Sequence, residues 1–231
     1  MRLDKYLAAS RVGTRSEVKD HIVKGRVSVD GKTVKDPSVH IGTDDEVALN
    51  GEKVVYREHV YYMLNKPAGV VSATEDESEK TVIDLFPKEQ RKGLFPVGRL
   101  DKDSVGLLII TDDGVLSHRL MSPKKHVEKR YLIRTDTALD KNDTAAFEEG
   151  ITLSDGTALH PAKLEISEDD GTEAVVTISE GKYHQVKRMV ASRGKKVVYL
   201  KRLSVGKLLL DPDLEEGKYR ELTDDELKLL K

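Results

Sequence analysis

The sequence predicts an α+β chain in two parts, a small helix–helix–sheet unit followed by a longer β-rich unit. Three observations carry this. The 231 residues, at roughly 150 per domain, suit a small domain joined to a larger one. Helical spacing and a capping pattern crowd the first 25 positions and are followed by two turn dipeptides, Asp30-Gly31 and Asn50-Gly51. From Val60 onward, apolar runs of strand length dominate. Hydrophobic residues make up 38% and charged residues 35%, which is polar, yet Leu, Val and Ile recur too regularly for a disordered chain.

In order along the chain, Leu3, Tyr6 and Leu7 fall at i, i+3, i+4 and predict a short helix. Thr14 reads as the N-cap of a second, Arg15 to Lys24, with Glu17 completing a capping box and Gly25 closing it. Val27, Val29 and Val34 around Asp30-Gly31 predict a hairpin with a primed turn, and Val47 to Leu49 a further strand. The polar stretch Gly51 to His59 reads as containing a linker, and Val60 to Leu64 opens a new strand. Gly106 to Thr111 reads as a buried strand ending in a tight turn at Asp112-Asp113-Gly114. A helix from Val115 to about Met121 follows, with Pro123 just past its end. Tyr131 to Ile133, Ala174 to Ile178, Val197 to Leu200 and Lys207 to Leu210 are strand candidates. His184 to Arg193 reads as a helix with Val186, Met189 and Val190 inward.

The net charge of −2, from 39 basic and 41 acidic side chains, conceals strong segregation. Met1 to Arg26 holds seven basic residues against three acids, and Gly181 to Lys207 holds nine with no acid. The acids collect at Asp44 to Glu46, Glu165 to Glu173 and the tail from Asp211. Basic faces on an otherwise acidic chain suit local binding of a phosphate-rich partner. With no Cys in the chain, thiolate metal sites and Cys-nucleophile mechanisms are excluded. The Gly-x-x-x-x-Gly-Lys-Ser/Thr, Gly-x-Gly-x-x-Gly and Gly-x-Ser-x-Gly patterns are absent, and the seven His show no metal-ligand spacing. No cofactor and no metal are therefore expected. No apolar run approaches the roughly 18 residues of a membrane span, and the amino terminus lacks a signal-peptide pattern, so a cytoplasmic protein is expected.

Four blocks carry a resemblance. Gly98-Arg99-Leu100-Asp101 followed by Gly106 to Gly114 looks like the catalytic signature of pseudouridine synthases of the small-subunit ribosomal type. Met1 to about Leu49 resembles the S4 RNA-binding module. Tyr62 to Gly69 and Glu180 to Met189 match two further family blocks, in the same order and spacing. The resemblance implies an S4-like domain over 1–55 and a mostly antiparallel, β-rich catalytic domain with flanking helices over 60–231. The activity it implies is isomerisation of a uridine in ribosomal RNA by a monomeric enzyme. The block Lys182-Tyr183-His184-Gln185-Val186-Lys187 resembles the small-subunit (16S) enzymes, acting on rRNA or a small-subunit assembly intermediate. A large-subunit (23S) enzyme of the same fold and a non-catalytic RNA-binding or ribosome-assembly protein are the alternatives.

That isomerisation breaks the C1′–N1 bond, turns the uracil and rejoins it through C5. By resemblance Asp101 is the carboxylate that attacks C1′ or removes a sugar proton on the way to a glycal. A cation beside it is expected. Lys187 matches the family's basic partner and Arg188 is its rival; on a helix they point about 100° apart, so one faces the pocket. Otherwise Arg188 is an RNA contact. Tyr131 matches the active-site tyrosine, placed to pack on uracil and to take the C5 proton. Arg99 matches the residue inserted into the stack when the target flips out, or else is a buried partner for a carboxylate. Arg2, Lys5, Arg11, Arg15 and Lys19 are candidates for a clamp on structured RNA. Asp103, Asp112 and Asp113 read as turn and capping residues.

Overall fold

The computed structural model describes residues 1–10, 12–42, 44–56, 58–122 and 125–230; the readings of Arg11 and Pro123 fall outside them. The chain divides into two units, residues 1–60 with 87–92, and residues 61–86 with 93–231.

In the first unit, α1 (Leu3–Ala9) and α2 (Arg15–Val23) precede strands β1 (Val27–Val29), β2 (Lys32–Val34), β3 (Val47–Leu49) and β4 (Glu52–Lys53), paired in the order β2-β1-β3-β4. The capping box is present. Glu17 N donates to Thr14 Oγ1 at 3.3 Å, and Thr14 N donates to Glu17 Oε2 at 2.7 Å, which satisfies two donors that the helix start leaves open. Asp30 and Gly31 take φ of +49° and +74°, and Asn50 and Gly51 of +51° and +84°, so both dipeptides make turns with two positive φ values. The second of these hairpins occupies the first part of the Gly51 to His59 stretch, ahead of the unit boundary after Val60. Its returning arm is Glu52–Lys53, and Val54 beyond it is buried with Leu3, Leu7, Val18, Ile22, Val27, Ile41 and Val47.

The second unit is built on a sheet of nine strands among the described residues. They are β5 (Tyr61–Lys66), β6 (Phe95–Val97), β7 (Val105–Thr111), β8 (Lys129–Thr135), β9 (Lys163–Ile166), β10 (Glu173–Ile178), β11 (Val197–Val205), β12 (Leu208–Leu209) and β13 (Tyr219–Glu221). The central order is β13-β5-β7-β11-β8-β10-β9, with β12 on β11 and β6 on β7. Every pairing is antiparallel except β7 with β11. Helices α3 (Gly114–Met121), α4 (Lys141–Glu149), α5 (Gln185–Ser192) and α6 (Asp224–Leu229) flank it.

All seven residues of β7 are buried, as befits a central strand covered on both faces. Leu107 and Ile109 join Leu116 and Leu120 of α3 in one cluster, and the alternation of a strand turns Leu108 and Ile110 to the other face. Asp113 caps α3 by accepting from Val115 N and Leu116 N, both at 2.9 Å. No helix among the described residues is long and apolar enough to cross a membrane.

Gly106 is where the parallel pair closes. Its φ is +101°, and a Cβ there would stand 2.4 Å from the Arg202 carbonyl oxygen and 2.7 Å from its amide nitrogen. Both atoms are backbone and cannot swing away. Gly106→Ala is expected to destabilise the protein by about 3 kcal/mol or more, read as a lower denaturant midpoint. Gly114→Ala, where nothing lies within 4 Å of the added Cβ, is the near-neutral control. Equal midpoints for the two variants would refute the close-approach account.

Candidate active site

The segment between β6 and β7 contains Asp101 and is held by buried groups on both sides. Ser72 Oγ donates to the Leu100 carbonyl at 2.8 Å, and Leu100 N donates back to Ser72 Oγ at 3.0 Å. Ser104 N donates to the Asp101 carbonyl at 3.1 Å, closing a tight turn. Lys66, at the end of β5 and fully buried, donates from Nζ to the carbonyls of Ser104 at 2.8 Å, Pro67 at 2.9 Å and Lys102 at 3.4 Å. One ammonium thus donates to three carbonyls, of which that of Lys102 also accepts from Gly69 N at 2.7 Å.

Burial depresses Lys66, against the opposing pull of Asp103, Asp101 and Glu216, to a pKa of about 8 from the usual 10.5. The unfolded chain therefore binds this proton more tightly than the native one, and the resulting cost is relieved as pH climbs from about 8 to 10.5. Over that window the unfolding free energy of the protein is expected to gain up to about 3 kcal/mol relative to Lys66→Met. Denaturant melts of both proteins across the window check it, and parallel curves would show that Lys66 does not titrate there.

The second wall is the turn leading into α5. Glu180 is buried, and its Oε1 accepts from His160 N at 2.9 Å and from Gln185 Nε2 at 2.8 Å. Gln185 Oε1 in turn accepts from Lys182 N at 3.0 Å. His184 then takes a left-handed conformation, φ +48° and ψ +32°, at the start of α5. This geometry directs Lys187, one turn into the helix, at Asp101.

Lys187 Nζ lies 2.9 Å from Asp101 Oδ2 and 2.6 Å from Asp103 Oδ1, and His184 Nε2 lies 3.3 Å from Asp101 Oδ1. Partial burial pulls Lys187 down, but its bonds to Asp103 and Asp101 outweigh this and hold its pKa above the ordinary lysine range. The bond from Lys187 holds Asp103 below the ordinary carboxylate range. Tyr131, buried on β8, completes the cleft, whose lining also includes Arg99, Ser104, Val186 and Leu200. Across the sheet Tyr131 faces Arg202 on one side and Val176 on the other, so packing fixes the position of its ring.

Asp101, Lys187, Tyr131 and Arg99 therefore come together, with Arg99 exposed at the rim rather than buried against a carboxylate. Arg188 does not join them. It points away from Lys187 and pairs with Asp155. Asp103 lies in a turn, as the sequence reads, and is also the second carboxylate on Lys187. His184 and Lys66 are additions that sequence reasoning missed. An apolar run from Val60 to Leu64 followed by Asn65-Lys66 before Pro67 was the available signal for the latter. In the amino-terminal unit Arg2 is engaged by Asp4, donating from Nε at 3.0 Å and Nη2 at 2.9 Å. Lys5, Arg15 and Lys19 are exposed, and Arg11 lies outside the described residues.

Comparison with known proteins identifies the family. Residues 60–192 match the RNA pseudouridylate synthase family and residues 1–47 the S4 domain. An uncharacterised RNA pseudouridine synthase of Bacillus subtilis is 51% identical over 234 residues, covering 100% of this chain and 98% of that protein. The ribosomal small subunit pseudouridine synthase A of Haemophilus influenzae is 44% identical, covering 100% and 99%. A crystal structure of a pseudouridylate synthase superposes with a TM-score of 0.71 at 43% identity, covering 100% of this chain and 99% of the other. The chain belongs to the RNA pseudouridylate synthase family, with an S4 domain at its amino terminus.

Proposed function

We propose that this protein isomerises a uridine of small-subunit (16S) ribosomal RNA to pseudouridine, with Asp101 as the catalytic carboxylate. The observation that carries the reading is the Asp101–Lys187 pair at 2.9 Å in a cleft lined by Tyr131 and Arg99. The choice of the small subunit is supported by the full-length similarity to the Haemophilus influenzae enzyme of that name.

In this reading the target nucleotide leaves its stack to enter the cleft, and Arg99 at the rim fills the space it vacates. Asp101 acts on the sugar, either by forming a bond to C1′ or by taking a sugar proton, while the C1′–N1 bond breaks. Lys187 keeps a positive charge against the carboxylate in a partly dehydrated cleft, where such a charge acts more strongly than in water. The uracil turns under the Tyr131 ring, and C5 bonds to C1′ as the Asp101–C1′ bond breaks or, in the glycal route, as the sugar proton is returned; the C5 proton is then passed on through the Tyr131 hydroxyl as N1 recovers one from the surroundings. The composition of the nucleoside is unchanged, so the reaction balances without a cofactor.

The S4 domain, which we take to span 1–55, grips the RNA backbone through exposed Lys5, Arg15 and Lys19. Neutralising Arg15 and Lys19 is expected to weaken association and to reduce the salt slope of log K by roughly 0.7 to 0.9 per lost phosphate contact. Affinities over a salt series measure this, and an unchanged slope would remove both residues from the interface. The assignment itself is tested by mapping pseudouridine in 16S and 23S rRNA from cells with and without the protein. Loss of a 16S position is expected, whereas loss confined to 23S would move the target to the large subunit.

A further inference from the structure

We infer that Tyr183 and His184 form a stacking seat for the nucleobase next to the target uridine, so that these two residues help select the RNA sequence or loop that is modified. This rests on the reading that the cleft takes a flipped uridine. The two rings are stacked with centroids 3.8 Å apart and planes at 17°. Tyr183 is 69% exposed, so the ring face that is not against His184 is open to solvent. His184 Nε2 is 3.3 Å from Asp101 Oδ1. An open aromatic face therefore stands one ring thickness from the side chain that contacts the reacting carboxylate.

Two further features make this a built platform rather than a stray surface tyrosine. The backbone at His184 is left-handed, φ +48°, a conformation that non-glycine residues adopt at a cost and that here turns the imidazole toward Asp101. The loop is also fixed before any RNA arrives. Buried Glu180 accepts from Gln185 Nε2 at 2.8 Å and from His160 N at 2.9 Å, and Gln185 holds Lys182 N at 3.0 Å. A platform ordered in advance spares the ordering cost on binding.

The stack lies in the sequence run Gly181 to Lys207, which holds nine basic residues and no acid, with Lys182 and Lys187 on either side of it in the sequence. Extruding one nucleotide exposes the face of its neighbour, which loses its stacking partner. Unstacked bases find replacement partners on aromatic side chains. Arg99 at the rim can cover only one side of the gap, and the Tyr183 face is available to the other.

The test uses a short rRNA fragment that the wild-type enzyme converts, with 2-aminopurine placed on the 5′ or the 3′ side of the target. Wild-type protein is expected to quench one of the two probes on binding, and Tyr183→Phe to do the same. Tyr183→Ala is expected to lose the quenching and to bind the fragment on the order of tenfold more weakly. On a fragment with an abasic site at that position, the two proteins should bind equally. Unchanged affinity and quenching in Tyr183→Ala, or an equal loss on the abasic RNA, would overturn the seat while leaving the enzyme assignment intact. Failure of the wild type to make pseudouridine in either rRNA would overturn the assignment and the seat with it.

Discussion

Asp101→Asn is expected to lower the single-turnover rate of pseudouridine formation by roughly 10⁴-fold or more, while fold and RNA affinity stay close to wild type. The substitution keeps the volume and the turn that places the residue, because that turn is held by the Asp101 carbonyl, Ser72 and Lys66 rather than by the Asp101 side chain. What it removes is the only property the chemistry requires, an anionic oxygen that can bond to carbon or accept a proton. The neutral amide also loses its ion pair with Lys187, which then retains Asp103 as a partner at 2.6 Å, so no buried charge is left alone. Enzyme in excess over RNA, with thermal melting and binding measured alongside, separates a chemical defect from a folding one. Full turnover by a purified Asn variant would remove Asp101 from the reaction.

The parts of this chain that could be read from the sequence are those in which local chemistry and local structure coincide. Thr14 with Glu17, Asp30-Gly31 and the continuous run Gly106 to Thr111 each state their own conformation, and each is found where it reads. The helix start at His184-Gln185 was equally visible, with Val186, Met189 and Val190 buried as its spacing requires. Elements defined by what they pack against were not visible. Strand Glu52–Lys53 is two charged residues and exists because a turn returns it to β3. Helix α4 contains mainly polar residues, and buried Asp143 within it is satisfied by Arg193 at 3.1 Å and Lys195 at 2.9 Å, partners fifty positions away. Within the site the same division holds. Which of Lys187 and Arg188 faces Asp101 depends on the rotation of α5, which is set by contacts across the sheet. Asp103 and Lys66 gain their roles only when three distant segments converge, and no spacing in the sequence records that convergence.

Lys187→Met is expected to slow the chemical step by roughly 10²-fold, with little change in RNA affinity or its salt slope. The lysine bonds to both carboxylates, at 2.9 Å from Asp101 and 2.6 Å from Asp103. Removing it leaves those two acids on one site with no positive charge between them, which penalises the ionised form the reaction needs. Adding Asp103→Asn to Lys187→Met should therefore recover part of the lost rate, because it removes the like charge. Lys187 and Asp103 keep their charges over a wide range. Lys187, raised above 10.5, contributes its stabilisation below that pH and loses it only as pH rises through its higher native value. Asp103, lowered beneath 3.8, contributes above that pH and loses it only as pH falls through its lower native value. A rate change between about pH 5 and 9 in the wild type must then come from a group other than these two. Arg188→Met is the comparison that decides the rival assignment. Its partner is Asp155 and it does not line the cleft, so its loss is expected to leave the chemical step unaffected. If Lys187→Met altered only affinity and its salt dependence while Arg188→Met slowed the chemistry, the roles drawn for these two neighbours would have to be exchanged.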